Sequence, residues 1–158
     1  MNAKNMRNGL TIFIIAVLVS CAGKNQNELG LQNHSPLIGT WELISGTLVE
    51  NGDTTVTYFT ENLSFVKIIN ETHFAFLEHD LKKGIDSTSV FVAGGGRYSL
   101  VDSLYTEHLE YCSDRSWEGN DFTFTVTIKN DTLVQRGVEK LDNEGINRLN
   151  IERYTRLK

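Results

Sequence analysis

From Ile38 onward, apolar and polar residues alternate in short runs, and no stretch carries an apolar stripe at the 3.6-residue spacing of an amphipathic helix. The period is two, which predicts strands over Gly39–Glu50, Thr54–Thr60, Leu63–Ile69, Thr72–His79, Ser87–Ala93, Arg97–Val101, Leu104–Cys112, Asp121–Lys129, Thr132–Arg136 and Asn147–Leu157. Turn residues fill the breaks: Asn51-Gly52-Asp53, Lys83-Gly84, Glu118-Gly119-Asn120, Asn130-Asp131 and Asn143-Glu144-Gly145. A short helix is expected near Asn143. Short antiparallel strands joined by tight turns form a meander, and a meander must close or stack to hide its edges. The expectation is an all-β chain folded as a single antiparallel up-and-down β-barrel of about 8–10 strands, with a sandwich as the alternative. A single proline and many Thr, Val, Phe and Tyr residues agree with a β-rich fold.

In a strand, residues two apart share a face. In Leu104–Cys112, Tyr105, Glu107, Leu109 and Tyr111 form one face, and Thr106, His108 and Glu110 the other. The first set suits a barrel interior, where one polar group among aromatics orients a ligand. The same argument places Phe74 and Phe76 inside, and Tyr98 on the neighbouring strand. The candidate interior site is therefore Phe74, Phe76, Tyr98, Tyr105, Glu107 and Tyr111. Glu107 is the one candidate general acid–base group, its pKa raised by burial. A buried pair with Arg156, or hydrogen bonds to the tyrosines, is an equal alternative for it.

Three glycines, Gly94-Gly95-Gly96, precede this face. A phosphate cradle needs a lysine, a hydroxyl residue and a following helix, whereas Arg97-Tyr98-Ser99 begins a strand. A flexible lid is a second reading. A bulge or sharp bend that brings backbones together is favoured. No metal site is expected: His73 and His79 lie roughly 20 Å apart along one strand at about 3.3 Å per residue, and His108 with Glu110 makes only two ligands on a solvated face. No metalloprotease, nucleophile-elbow or paired-carboxylate pattern is present, and no cofactor is expected.

The N-terminus reads as an address. Lys4 and Arg7 precede an apolar run from Leu10 to Val19, which is shorter than the about 20 residues a membrane-spanning helix needs. The run ends in Leu18-Val19-Ser20-Cys21, which resembles the bacterial lipobox. That resemblance implies a signal peptide over 1–20, a lipidated Cys21 and a polar tether over 21–36, with the folded domain over 37–158. The lipid would anchor the chain to a membrane. Ala22 follows the cysteine where an inner-membrane retention signal has Asp, and Lys24 follows in place of an acidic cluster. By resemblance to Bacteroidetes-type lipoproteins, this implies a cell-envelope protein on the periplasmic face of the outer membrane. With Cys21 acylated, Cys112 has no disulfide partner and reads as a structural thiol.

The chain carries a formal charge of −5, and its first twenty residues hold two bases and no acids, so 13 bases face 20 acids in the remainder. Without a basic cluster, nucleic acid is excluded as a partner, as is electrostatic docking on anionic lipid. Asp53-Thr54-Thr55, Asp86-Ser87-Thr88, Asp102-Ser103-Leu104 and Asp131-Thr132-Leu133 resemble the acceptor of Bacteroidetes periplasmic O-glycosylation, and read equally well as turn starters.

Gly39-Thr40-Trp41 opens the first strand, and the last ends in Glu152-Arg153-Tyr154-Thr155-Arg156. This resembles the calycin pattern of lipocalins and fatty-acid-binding proteins, in which a tryptophan on the first strand packs beneath an arginine from the last. A guanidinium can stack on the indole and still donate to nearby carbonyls. Arg156 is the expected partner of Trp41, with Arg153 as rival. The blocks LIGTWELISG, ETHFAFLEHD, GGGRYSLVDSLYTEHLEY and ERYTR resemble a lipocalin-like family of uncharacterised Bacteroidetes proteins. The resemblance implies a barrel with a cavity and no settled activity. Three functions follow in order: a barrel that binds a small hydrophobic or amphipathic ligand, an interaction module with a filled barrel and an unnamed protein partner, and a barrel isomerase or cyclase using Glu107.

Overall fold

The structure, a computed structural model, describes residues 35–85 and 89–158. The expected signal peptide, Cys21, all but the end of the tether and the acceptor-like Asp86-Ser87-Thr88 lie outside the described residues. Among the described residues the chain forms nine strands: β1 (Gly39–Glu50), β2 (Asp53–Tyr58), β3 (Leu63–Ile69), β4 (His73–Asp80), β5 (Phe91–Val101), β6 (Leu104–Cys112), β7 (Asn120–Lys129), β8 (Thr132–Leu141) and β9 (Ile146–Arg156). From β3 to β9 each strand pairs antiparallel with the next, β1 pairs with both β2 and β3, and β9 returns to pair with β1, so the sheet closes. β2 and β3 follow one another along the same edge of β1. β2 pairs with Ser45–Glu50 and β3 with Gly39–Glu42. They act as one interrupted wall strand, and the barrel has eight strands around its circumference. β2 is exposed throughout.

Turn chemistry sets the hairpins. Asn51, Asp102 and Asn130 take positive φ at the three tight turns of β1–β2, β5–β6 and β7–β8, as short polar side chains tolerate there. The helix expected near Asn143 is a single 3₁₀ turn at Asp142–Glu144. The remaining acceptor-like triplets sit at the β1–β2, β5–β6 and β7–β8 turns. The β4–β5 connection is held from inside. The Asp80 carboxylate accepts from the backbone N–H of Gly84 (2.9 Å) and of Val90 (3.1 Å). Those N–H groups hold its pKa below the usual carboxylate range.

Two strands differ most from expectation: β8 runs to Leu141, five residues beyond the expected end at Arg136, and β5 joins two expected strands into one. Ser87–Ala93 and Arg97–Val101 are not separate strands, because β5 runs unbroken through the glycines. Their role is close approach. A Cβ on Gly96 would stand 2.0 Å from the His108 carbonyl oxygen, one on Gly95 2.5 Å from that of Phe74, and one on Gly94 2.4 Å from the Phe76 ring. Opposite them the β5–β6 register shifts between Gly95 and Gly96, and Glu110 becomes the extra residue of a bulge.

One end of the barrel is sealed. Trp41 is fully buried on β1, in register with Arg156 on β9, whose guanidinium carbon lies 4.0 Å from the indole centroid. Arg156 donates to the carbonyls of Ile38 (2.8 Å) and Pro36, and the indole N–H donates to Leu37 (2.8 Å). The entering chain is thereby strapped across the barrel floor. Gly39 lies directly beneath, where a Cβ would meet the Arg156 guanidinium at 2.3 Å. Leu37, Leu43, Ile69, Leu133 and Tyr154 are buried with Trp41 in the same core.

Candidate functional site

The opposite half of the barrel holds a cavity of about 350 Å³, at the lower end of the range for small-molecule sites. Phe65 and Phe76, Leu109, Phe122 and Phe124, and Trp117 form its apolar wall. Phe65 and Phe76 stack with centroids 5.8 Å apart. Cys112 and Asp114 line the end where β6 passes into the 3₁₀ turn at Arg115–Trp117. There the Arg148 guanidinium lies 5.2 Å from the Trp117 ring, so an aromatic and a cation flank the mouth.

The polar side of the cavity is one connected network. Lys67 reaches inward from β3 between Phe65 and Ile69. Its ammonium donates to Glu107 Oε1 (2.8 Å) and Gln135 Oε1 (3.2 Å), and lies 3.7 Å from Glu152. Glu152 accepts from the Tyr154 hydroxyl (2.7 Å) and from Asn150 (3.3 Å). Asn150 also donates to Glu139 (2.7 Å), whose second oxygen accepts from Arg148 Nε (2.7 Å). Lys67, Glu107, Gln135, Glu139 and Asn150 are all buried. Buried charges are tolerated only when paired and hydrogen-bonded, and these are.

The electrostatics carry a sign. Burial pulls the Lys67 ammonium down, yet the carboxylates of Glu107, Glu152 and Glu139 outweigh it and hold its pKa above the ordinary lysine value. Burial pushes the Glu107 carboxyl up, and Lys67 offsets this only in part. Burial, then the neighbouring carboxylates, also raise Tyr105 and Tyr154. Of these four groups only Lys67 feels burial and negative charge in opposite directions, and negative charge wins. The Tyr105 hydroxyl sits against Glu107 without a well-aligned hydrogen bond, although the residue is fully buried.

The six interior candidates separate. Phe76 and Glu107 line the cavity. Phe74, Tyr98 and Tyr105 pack on the sealed side of it. Tyr105 meets Phe74 edge-on at 6.5 Å and Tyr98 at 5.2 Å, and the Tyr98 hydroxyl donates to the Asn70 carbonyl in the β3–β4 turn. Tyr111 is not inside: it is 69% exposed. The bulge at Glu110 reverses the alternation, so Tyr111 turns outward and Cys112 turns in. Nor does Glu107 pair with Arg156, since its partner is Lys67 and Arg156 belongs to the seal. The outer-face groups are engaged with other partners, His108 with Asp121 (2.8 Å) and Glu110 with Arg97 (2.6 Å). Among the described residues no three potential metal ligands cluster.

Six residues of the network, Lys67, Gln135, Glu139, Arg148, Asn150 and Glu152, were not anticipated. Their signal was a polar residue standing in the apolar phase of a strand, as in Phe65-x-Lys67-x-Ile69 and Leu133-x-Gln135-x-Gly137-x-Glu139-x-Leu141. Single strands do not reveal that such positions converge. Only the closed register brings β3, β6, β8 and β9 to one point.

No family model matches this chain, and no curated protein does. Among solved structures, an uncharacterised protein from Bacteroides eggerthii is similar at 12% identity and a TM-score of 0.44, covering 76% of this chain and 98% of that one. A likeness this loose says nothing of function. The class stands on the closed register itself: an eight-stranded antiparallel up-and-down barrel of lipocalin-like form.

Proposed function

We propose that this protein is a lipid-anchored, lipocalin-like binding protein of the bacterial envelope, which holds one small amphipathic molecule inside its barrel. One observation carries the reading: a cavity of about 350 Å³ with an aromatic wall on one side and a charged network on the other, in a barrel sealed at its opposite end. A packed interior would have suited an interaction module better. Apolar wall supplies affinity through burial, and placed polar groups supply orientation. Glu107 is bound to Lys67 at 2.8 Å, which suits a fixed charge in a recognition site better than a free acid–base group.

The test is a titration of the full chain with 1-aminoanthracene, a neutral apolar fluorophore. The expected result is saturable enhancement that is lost when Cys112, which lines the cavity, carries an N-benzylmaleimide adduct. Fluorescence that never saturates contradicts the reading. The anchor has a separate test. An alkynyl fatty acid fed to the native host is expected to label the chain but not its Cys21→Ser variant, and equal labelling of both removes the lipoprotein assignment.

A further inference from the structure

The polar side of the cavity holds more negative than positive charge. Glu107, Glu139 and Glu152 face it, with Asp114 at its mouth, against Lys67 and Arg148. Both cations are already committed: Lys67 to Glu107 at 2.8 Å, and Arg148 Nε to Glu139 at 2.7 Å. Glu152 has no cation of its own. It shares Lys67 at 3.7 Å and is otherwise held by neutral donors, the Tyr154 hydroxyl and the Asn150 amide. A carboxylate in a buried site without a full counter-charge is unfavourable, and a cation brought to it is bound more strongly than in water.

The same carboxylates set the charge state of Lys67. Burial alone would make Lys67 give up its proton more readily, and the surrounding carboxylates reverse that. The far wall is aromatic: Phe65, Phe76, Phe122, Phe124 and Trp117.

On the reading of the barrel as a binding site, on which this rests, we infer that the ligand is a small amphiphile carrying a protonated amine, its ammonium paired with Glu152 and its apolar body against the phenylalanine wall. An anionic amphiphile, the usual expectation where a lysine lies in a cavity, is disfavoured because Lys67 is already neutralised by Glu107. To enter there, an anion would have to displace that carboxylate and leave it buried without a partner.

The test compares two sets of matched probes by calorimetry on the full chain: tryptamine, tryptophol and indole-3-propionate, and n-octylamine, n-octanol and n-octanoate. In at least one set the amine is expected to bind about tenfold or more tighter than its alcohol, as charge-assisted hydrogen bonds are stronger than neutral ones, and the carboxylate weaker than either. Glu152→Gln is expected to reduce the amine's advantage while leaving alcohol binding in place. That variant only localises the effect, since the ranking on the unaltered chain decides the matter. Equal binding across both sets, or tightest binding by a carboxylate, overturns the amine assignment. If 1-aminoanthracene still saturates in that case, the binding barrel survives and only the ligand's charge is wrong. If neither it nor any of the six probes binds, the binding reading falls and the assignment falls with it.

Discussion

Replacing Lys67 with Met exposes the energetics of the buried network directly. Met keeps the unbranched length of lysine and suits the space between the Phe74 and Tyr154 rings, which lie 6.0 and 5.3 Å from the ammonium. It deletes the charge that sits 2.8 Å from Glu107 and 3.7 Å from Glu152. Removing one partner of a buried ion pair typically costs about 3–5 kcal/mol, because the other charge stays buried without compensation. For a domain of this size that corresponds to a fall in Tm of roughly 10–20 °C. The double variant Lys67→Met with Glu107→Gln removes both members of the closest pair and is expected to lie within about 2 kcal/mol of the parent, since replacing both partners is often nearly neutral. The pH dependence has a definite sign. Glu107 has a folded pKa above its unfolded value, so its contribution favours the fold at low pH and is lost as pH rises towards the folded pKa. Without Lys67 that rise is larger, so Lys67→Met is expected to be nearer the parent in stability at about pH 5 than at about pH 8. Urea unfolding of the parent and both variants at the two pH values measures all of this. A single variant as stable as the parent at about pH 8, or a double variant less stable than the single, would refute the view of Lys67 as the counter-charge of a buried carboxylate.

Other perturbations probe separate parts of the fold. Gly96→Ala places a Cβ 2.0 Å from the His108 carbonyl oxygen and is expected to cost more than about 3 kcal/mol in chemical unfolding; Gly119→Ala, with φ of 79° and no atom within 4 Å, is expected to cost only about 1 kcal/mol from backbone strain. Arg156→Met loses both donations to the entering chain and the stack on Trp41, with an expected loss of about 2–4 kcal/mol and earlier hydrogen exchange at Ile38 and Thr40. Asp80 has a folded pKa below its unfolded value, so its stabilising contribution is present above about pH 4 and is lost as pH falls through the folded value; Asp80→Asn is expected to flatten the acid side of the parent's stability profile and to speed exchange at Gly84 and Val90. Burial raises the Cys112 thiol pKa, so alkylation is expected to be slow near neutral pH, faster in mild alkali, and slowed by 1-aminoanthracene if both occupy the same cavity.

The fold was legible where local chemistry decides it. Turn residues at Asn51, Asp102 and Asn130 mark three of the hairpins, and β1, β3 and β6 end where the pattern ends. Trp41 and Arg156 are 115 positions apart, yet both are singled out by residue type and place at the two ends of one domain, and the closed sheet sets them in register. The ligand side was less legible. An alternating pattern assigns each residue to a face only until a bulge intervenes, and the Gly95–Gly96 shift moved Tyr111 out and Cys112 in. A polar residue at an apolar position, such as Lys67 or Glu139, looks like noise in one strand. It becomes a network only when four strands meet, and that depends on barrel closure, which no single segment encodes.

The central claim is that the barrel holds a small molecule. Its most direct test is native mass spectrometry of the chain purified from its native host, followed by organic extraction of the same sample. The expected result is one stoichiometric adduct, released by solvent and carrying an amine. A mass equal to the bare polypeptide with its lipid, together with no saturable binding of 1-aminoanthracene, would contradict it.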